Sequence, residues 1–230
     1  MRELIQNSVF FGVLISFLTY GMGILLKRKF KLAIFNPLLI SIVATILILI
    51  VFNIDYDSYY SGAKYISYLL TPATVCLAIP LYNQLEKLKH NFKAIIAGIS
   101  SGVLTSLLCV LVLSLIFKLN HKEYVTLLPK SITTAIGMCV SEELGGYVAI
   151  TVAVIIITGV LGNILAETVC RVFRITEPVA KGIAIGTASH AIGTTKAMEM
   201  GEIEGAMSSL SIAVAGLLTV IIASLFAQFI

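Results

Sequence analysis

The stretch GTASHAIGTTK, residues 186–196, sets three threonines, a serine, a histidine, a lysine and two glycines inside one hydrophobic neighbourhood. The chain around it is mostly Leu, Ile, Val, Ala and Phe. Polar and ionisable groups in such surroundings are costly unless they meet a partner or a ligand. Glycines let a backbone turn or approach a ligand closely, and short hydroxyls supply donors without bulk. The stretch therefore reads as an interrupted helix, and the fold follows from asking what surrounds it.

Composition names the solvent. Of 230 residues, 58% are hydrophobic and 12% charged, and mean hydropathy is +1.01, which no ordinary soluble domain of this length shows. A hydrocarbon core about 30 Å thick takes roughly 20 apolar residues per helical span. Ser8–Leu26, Ala33–Phe52, Phe92–Phe117, Tyr147–Val169 and Glu204–Phe229 meet that length. Their apolar runs are continuous rather than alternating, so helices and not a closed barrel satisfy the backbone. The expected fold is all-α: a polytopic integral membrane protein with seven to eight hydrophobic segments. It forms a single transmembrane domain, residues 1–65 as scaffold-like spans and 66–230 as a broken-helix transport core.

Charge orients it. Lys27-Arg28-Lys29-Phe30-Lys31 between the first two spans marks a cytoplasmic loop by the positive-inside rule, and Glu86–Lys93 counts inside as well. The amino terminus is then expected outside, with Asp55 and Asp57. Glu3 in the head of a long first run, with no Ala-x-Ala site after it, reads as a retained helix rather than a signal peptide. The five-residue basic run serves topology before nucleic acid, and no nucleic-acid role is expected. Cys76, Cys109, Cys139 and Cys170 lie in or beside apolar segments without a C-x-x-C pair, so they read as small hydrophobes, with no metal site.

Three further segments break the pattern at mid-depth. Tyr68–Gln84 contains Pro72 and Pro80, Leu127–Gly146 contains Pro129, and the third runs from Val179 to about Met200 with Gly186 and Gly193. A break inside a bilayer must face protein or a watery cavity, because freed backbone groups cost several kcal/mol each against lipid. Such segments recur in secondary transporters, whose half-helix N-termini aim positive dipole ends at anions near the midplane. Broken segment followed by plain helix occurs at 69–117, 128–170 and 182–229, a possible internal repeat. A re-entrant hairpin at 127–146 would reconcile the charges after residue 118.

Candidate ligand donors are Thr71 and Thr74, Lys130, Ser131, Thr133 and Thr134, and Thr187, Ser189, His190 and Thr194. Lys130 suits a carboxylate or a headgroup. His190 suits a proton relay or a neighbouring helix. Hydroxyls also suit Na⁺, so proton or Na⁺ coupling is open, with no other cofactor. No Walker loop, H-E-x-x-H or G-x-S-x-G is present, and no enzyme activity is expected.

The residues LTPATVCLAIPLYNQ, LLPKSITTAIGMCVSEELGG, GIAIGTASHAIGTTKAMEMGEIEGAMSSLS and NPLLIS resemble the LrgB/CidB family of bacterial membrane proteins across essentially the whole chain. The resemblance implies a multi-pass protein of the bacterial cytoplasmic membrane. It also implies a holin/antiholin-like regulator of murein hydrolase activity and autolysis, acting with a smaller LrgA/CidA-type membrane partner. Kinship to a plastidal glycolate/glycerate translocator and to pyruvate uptake implies transport. The expectation taken forward is a secondary carrier of small monocarboxylates such as pyruvate or glycolate, homo-oligomeric, with the spans Ser8–Phe52 as scaffold and homodimer surface. The alternative is a regulator of lysis without a transport cycle.

Overall fold

Every regular element in the computed structural model is helical among the residues it describes, which are 9–30, 35–76 and 78–230. Glu3, Ser8, Lys31 and Ala33 lie outside the described residues, as do the side chains of Thr71, Thr74 and Pro80. In chain order the helices are α1 (Val9–Phe30), α2 (Pro37–Val51), α3 (Tyr56–Ser67), α4 (Leu70–Cys76), α5 (Ala78–Asn83), α6 (Leu85–His90) and α7 (Phe92–Phe117). Then come α8 (His121–Leu127), α9 (Thr134–Glu143), α10 (Val148–Val172), α11 (Pro178–Met200) and α12 (Glu202–Phe226). Among the described residues α1, α7, α10 and α12 are long and apolar enough to cross a bilayer, and α2 is a shorter apolar helix. The chain is thus an all-α membrane protein, with four such spans where the sequence suggested seven to eight hydrophobic segments. Packing divides it into two compact units after Cys76.

In the first unit small and hydroxyl residues join the helices, as they must where lipid removes any hydrophobic advantage of helix association. Thr19 Oγ1 meets Ser41 Oγ at 2.9 Å and Thr45 Oγ1 at 3.1 Å, and Ser16 Oγ meets Tyr59 Oη at 2.8 Å. Asn36 caps α2 by accepting from Leu38 N–H, and Asp55 caps α3 by accepting from Ser58 N–H. Pro72 and Pro80 fall in the first turns of α4 and α5, where a missing N–H leaves no helical bond unmade.

The second unit is built on α7, which has three faces. Ile95, Ile99, Val103, Leu107 and Val110 form one buried stripe against Tyr124, Val125 and Leu128 of the α8 region and Met207 and Ala215 of α12. Leu104, Leu108, Leu115 and Ile116 face outward. The third face carries small polar residues and lines a cleft.

Two hairpins enter this unit from opposite ends of α7. The first begins at its C-terminal end: His121 Nδ1 lies 2.6 Å from the Ile230 carbonyl, and Tyr124 Oη donates to the Phe226 carbonyl. The chain runs in through α8, turns at Leu128–Ile132, where Ser131 Oγ meets Ser106 Oγ at 3.2 Å, and returns through α9. Thr151 Oγ1 then lies within hydrogen-bond distance of both the Thr126 carbonyl (2.9 Å) and Ser141 Oγ (2.7 Å), joining the inbound and outbound arms. Residues 127–146 therefore fold back on themselves, with Gly146 returning beside Thr126. Pro129 sits in the reversal.

The second hairpin lies within α11, where His190 leaves helical geometry (φ 42°, ψ −141°) and splits the segment into two half-helices. Residues on both sides of the break touch the same part of α12. Gly182 faces Glu204 and Met207, Gly186 faces Ser208, Thr194 Oγ1 meets Ser208 Oγ at 2.7 Å, and Met198 faces Gly205. Only a chain that folds back at His190 satisfies all four. Gly186 and Gly193 are helical, not the breaks expected of them: the missing Cβ at Gly186 makes room for the Ser208 backbone, and at Gly193 for Ser189 and Ile185.

Candidate functional site

A cleft of about 1070 Å³ opens between α7, the first half of α11 and the tip of the first hairpin. Its mouth is at Asn91 and Glu177, and its inner end at Cys109, Lys130 and Ser131. Ser106 lies fourteen residues into α7, about 21 Å along a helix about 39 Å long. The tip that touches it is therefore midway along this apolar helix, about 18 Å or more from either end, further than a lysine side chain reaches with ease.

At that depth Lys130 Nζ donates to Ser131 Oγ at 2.9 Å, and among the described residues no carboxylate pairs with it. A cation there without a counter-charge is costly, and an anion in the cleft would offset the cost. Thr187, 5% exposed, faces the same cleft from α11, its methyl pressed against Gly102. Beyond Ser131 and Thr187 a void of about 10 Å³ continues to Ala215 and Thr219 of α12, about the space of one water-sized sphere.

Of the sequence-derived candidates, Lys130, Ser131 and Thr187 thus meet in one cleft. Thr133 is the N-cap of α9 without a side-chain capping bond, and Thr134 is its first residue; neither lines the cleft. Ser189 packs on Gly162 of α10. His190, 2% exposed, puts Nε2 3.0 Å from the Ile155 carbonyl, and Thr194 donates to the His190 carbonyl at 2.9 Å or pairs with Ser208. These three polar side chains hold the hairpin together rather than face the cleft. Asn163 fastens the returning half, donating to the Ile192 carbonyl at 2.8 Å and to Thr195 Oγ1 at 2.9 Å, while Lys196 pairs with Glu167 at 2.6 Å. Thr71 and Thr74 cannot be compared, since their side chains are outside the described set.

Sequence reasoning missed the α7 wall. Gly98, Ser101, Gly102, Thr105, Ser106 and Cys109 recur at spacings of three and four, one face of a helix, inside a span read as plain. That spacing was the available signal.

These features define a multi-pass helical membrane protein in which two hairpins, entering from opposite ends of α7, flank a polar cleft. The chain belongs to the LrgB-like family, whose profile matches residues 16–229. It is 38% identical over 222 residues to the antiholin-like protein LrgB of Bacillus cereus (strain B4264), covering 96% of each chain. The antiholin-like protein LrgB of Bacillus anthracis (strain A0248) is similar to the same extent, 38% over 222 residues and 96% of each chain. No solved structure matches this chain.

Proposed function

We propose that the chain is an antiholin-like regulator of cell lysis in the bacterial cytoplasmic membrane, and that its molecular activity is passage of a small monocarboxylate through the cleft. The regulatory half rests on the relatives' names. The transport half rests on one observation: a lysine with no carboxylate partner among the described residues, midway along an apolar helix and beside hydroxyls in an open cleft. Lys130 supplies the charge, and Ser131, Ser106 and Thr187 supply hydroxyls. The start of α9 and the second half of α11 bring N-terminal helix ends to the region of the tips, where the dipole favours an anion.

Opposed entry of the two hairpins, each followed by a plain span, supports an inverted internal repeat over 128–170 and 182–229, and with it the larger count of seven to eight segments. Arg171, Arg174 and Lys181 lie at the same end as Asn91 and Lys93, which supports a cytoplasmic mouth. Residues 1–65 serve as scaffold and dimer surface. An LrgA/CidA-type small protein is the expected partner, and protons or Na⁺ the coupling ion.

Purified protein in liposomes tests the reading. Saturable uptake of labelled pyruvate or glycolate, lost in Lys130→Gln, is expected. Release of a large trapped dye without saturable uptake would instead favour a lytic pore, and absence of both would leave regulation without a transport cycle.

A further inference from the structure

Thr187 stands apart from the other helical hydroxyls of this molecule. Thr19, Thr126, Thr194, Ser209 and Ser211 each return their proton to the carbonyl four residues earlier. That local bond is the usual resting place of a hydroxyl in an apolar helix. Thr187 Oγ1 makes no such bond and has no other partner among the described residues, although it is buried. Ser114 is also unpartnered, but it lines neither the cleft nor the void beyond it. Buried hydroxyls are normally satisfied, so an unpartnered one on a residue that lines both the cleft and the void behind it marks a position a ligand completes.

Its place relative to Lys130 sets what that ligand must be. Thr187 packs on Gly102, and Ser106, which touches Ser131 at 3.2 Å, is the next residue but three on the same face of α7. Gly102 and Ser106 are one turn apart, roughly 5–6 Å between Cβ positions. A carboxylate held by Lys130 and Ser131 would therefore need a second polar atom about two or three bonds away to reach Thr187 through hydrogen bonds of about 2.8 Å. Building on the anion reading above, we propose that Thr187 is a specificity residue: it reads a hydrogen-bonding substituent next to the carboxylate and so separates substituted from plain short-chain carboxylates. An unsubstituted chain leaves the hydroxyl buried and unpaired, which is how polar sites reject analogues that lack a polar group.

Competition binding on the purified full-length protein, with propionate, lactate and pyruvate as probes, tests this at constant chain length. Wild-type protein should bind lactate or pyruvate about tenfold more tightly than propionate, the worth of one good hydrogen bond. Thr187→Val should cut that preference to about twofold or less, and Thr187→Ser should restore it. Lys130→Gln should weaken all three together. Equal wild-type affinity for the three probes, or a preference that survives in Thr187→Val, overturns the assignment while the anion site stands. Binding of none of them removes the anion site and the role of Thr187 with it.

Discussion

The two hairpins have similar compositions and opposite fates. Residues 127–146 reverse through a five-residue turn containing Pro129, and their polar tip, Lys130 and Ser131, is left facing a cleft. Residues 178–200 reverse at a single residue, His190, and the polar groups at and after the reversal, His190 and Thr194, are spent on neighbouring helices, while Thr187 before it lines the cleft. The difference lies in what stands opposite. The second hairpin presses its small residues onto α10 and α12, so His190 and Thr194 find partners within reach and Ser189 packs on Gly162. The first meets α7 across a row of glycine and hydroxyls that leaves space. In a membrane protein, polar composition locates a break, and the facing helix decides whether its polar groups are paired or left beside a cavity.

The contrast breaks most severely at Gly186. A valine there would press into the Ser208 backbone, and overpacking of this kind should cost about 3 kcal/mol or more. Thermal unfolding of the detergent-purified variant measures it; a valine accepted without loss would mean the second hairpin is not a packing element. Next in size is Lys130→Gln on the first hairpin. Uptake should fall at least about tenfold, the effect of losing a charge-assisted contact, with the unfolding temperature within a few degrees of wild type. A matched collapse in stability would make Lys130 a brace as well.

His190 sharpens the comparison by separating backbone from side chain. Both His190→Ala and His190→Gly lose the bond to Ile155, but only glycine suits φ 42° and ψ −141°. The glycine variant should therefore be more stable than the alanine variant by about 1 kcal/mol, and equal stability would deny any strain at the reversal. The smallest effect is expected far from either hairpin. Ser58 N–H, then its hydroxyl, holds the Asp55 carboxyl below the ordinary carboxylate range. A depressed pKa contributes stability that is present above the unfolded value and lost as pH falls through the folded one. Acid titration of α3 helicity should show this in wild type and not in Asp55→Asn, with uptake unchanged at neutral pH in both.

The long spans were legible because length and hydropathy suffice for them, as α7, α10 and α12 show. Pro129 was legible as a break because a residue without a donor cannot continue a helix. His190 was not, since sequence alone gives no reason for a histidine rather than a glycine to adopt positive φ. Gly186 and Gly193 were misread for the same reason reversed: a glycine looks alike whether it supplies freedom or room. The α7 wall escaped notice because Ser101, Thr105 and Ser106 sit among leucines, and averaging over a window hides a face. Which hydroxyls bind and which brace depends on pairings more than twenty residues apart, such as Ser106 with Ser131.

Ile155 of α10 serves both tips at once. Its side chain fills the notch left by Gly137 on the first hairpin, and its carbonyl meets the His190 ring of the second. Cutting that residue back to alanine would empty the notch on one hairpin while leaving the main-chain bond to the other in place, so the two halves of this junction belong to different parts of a single residue.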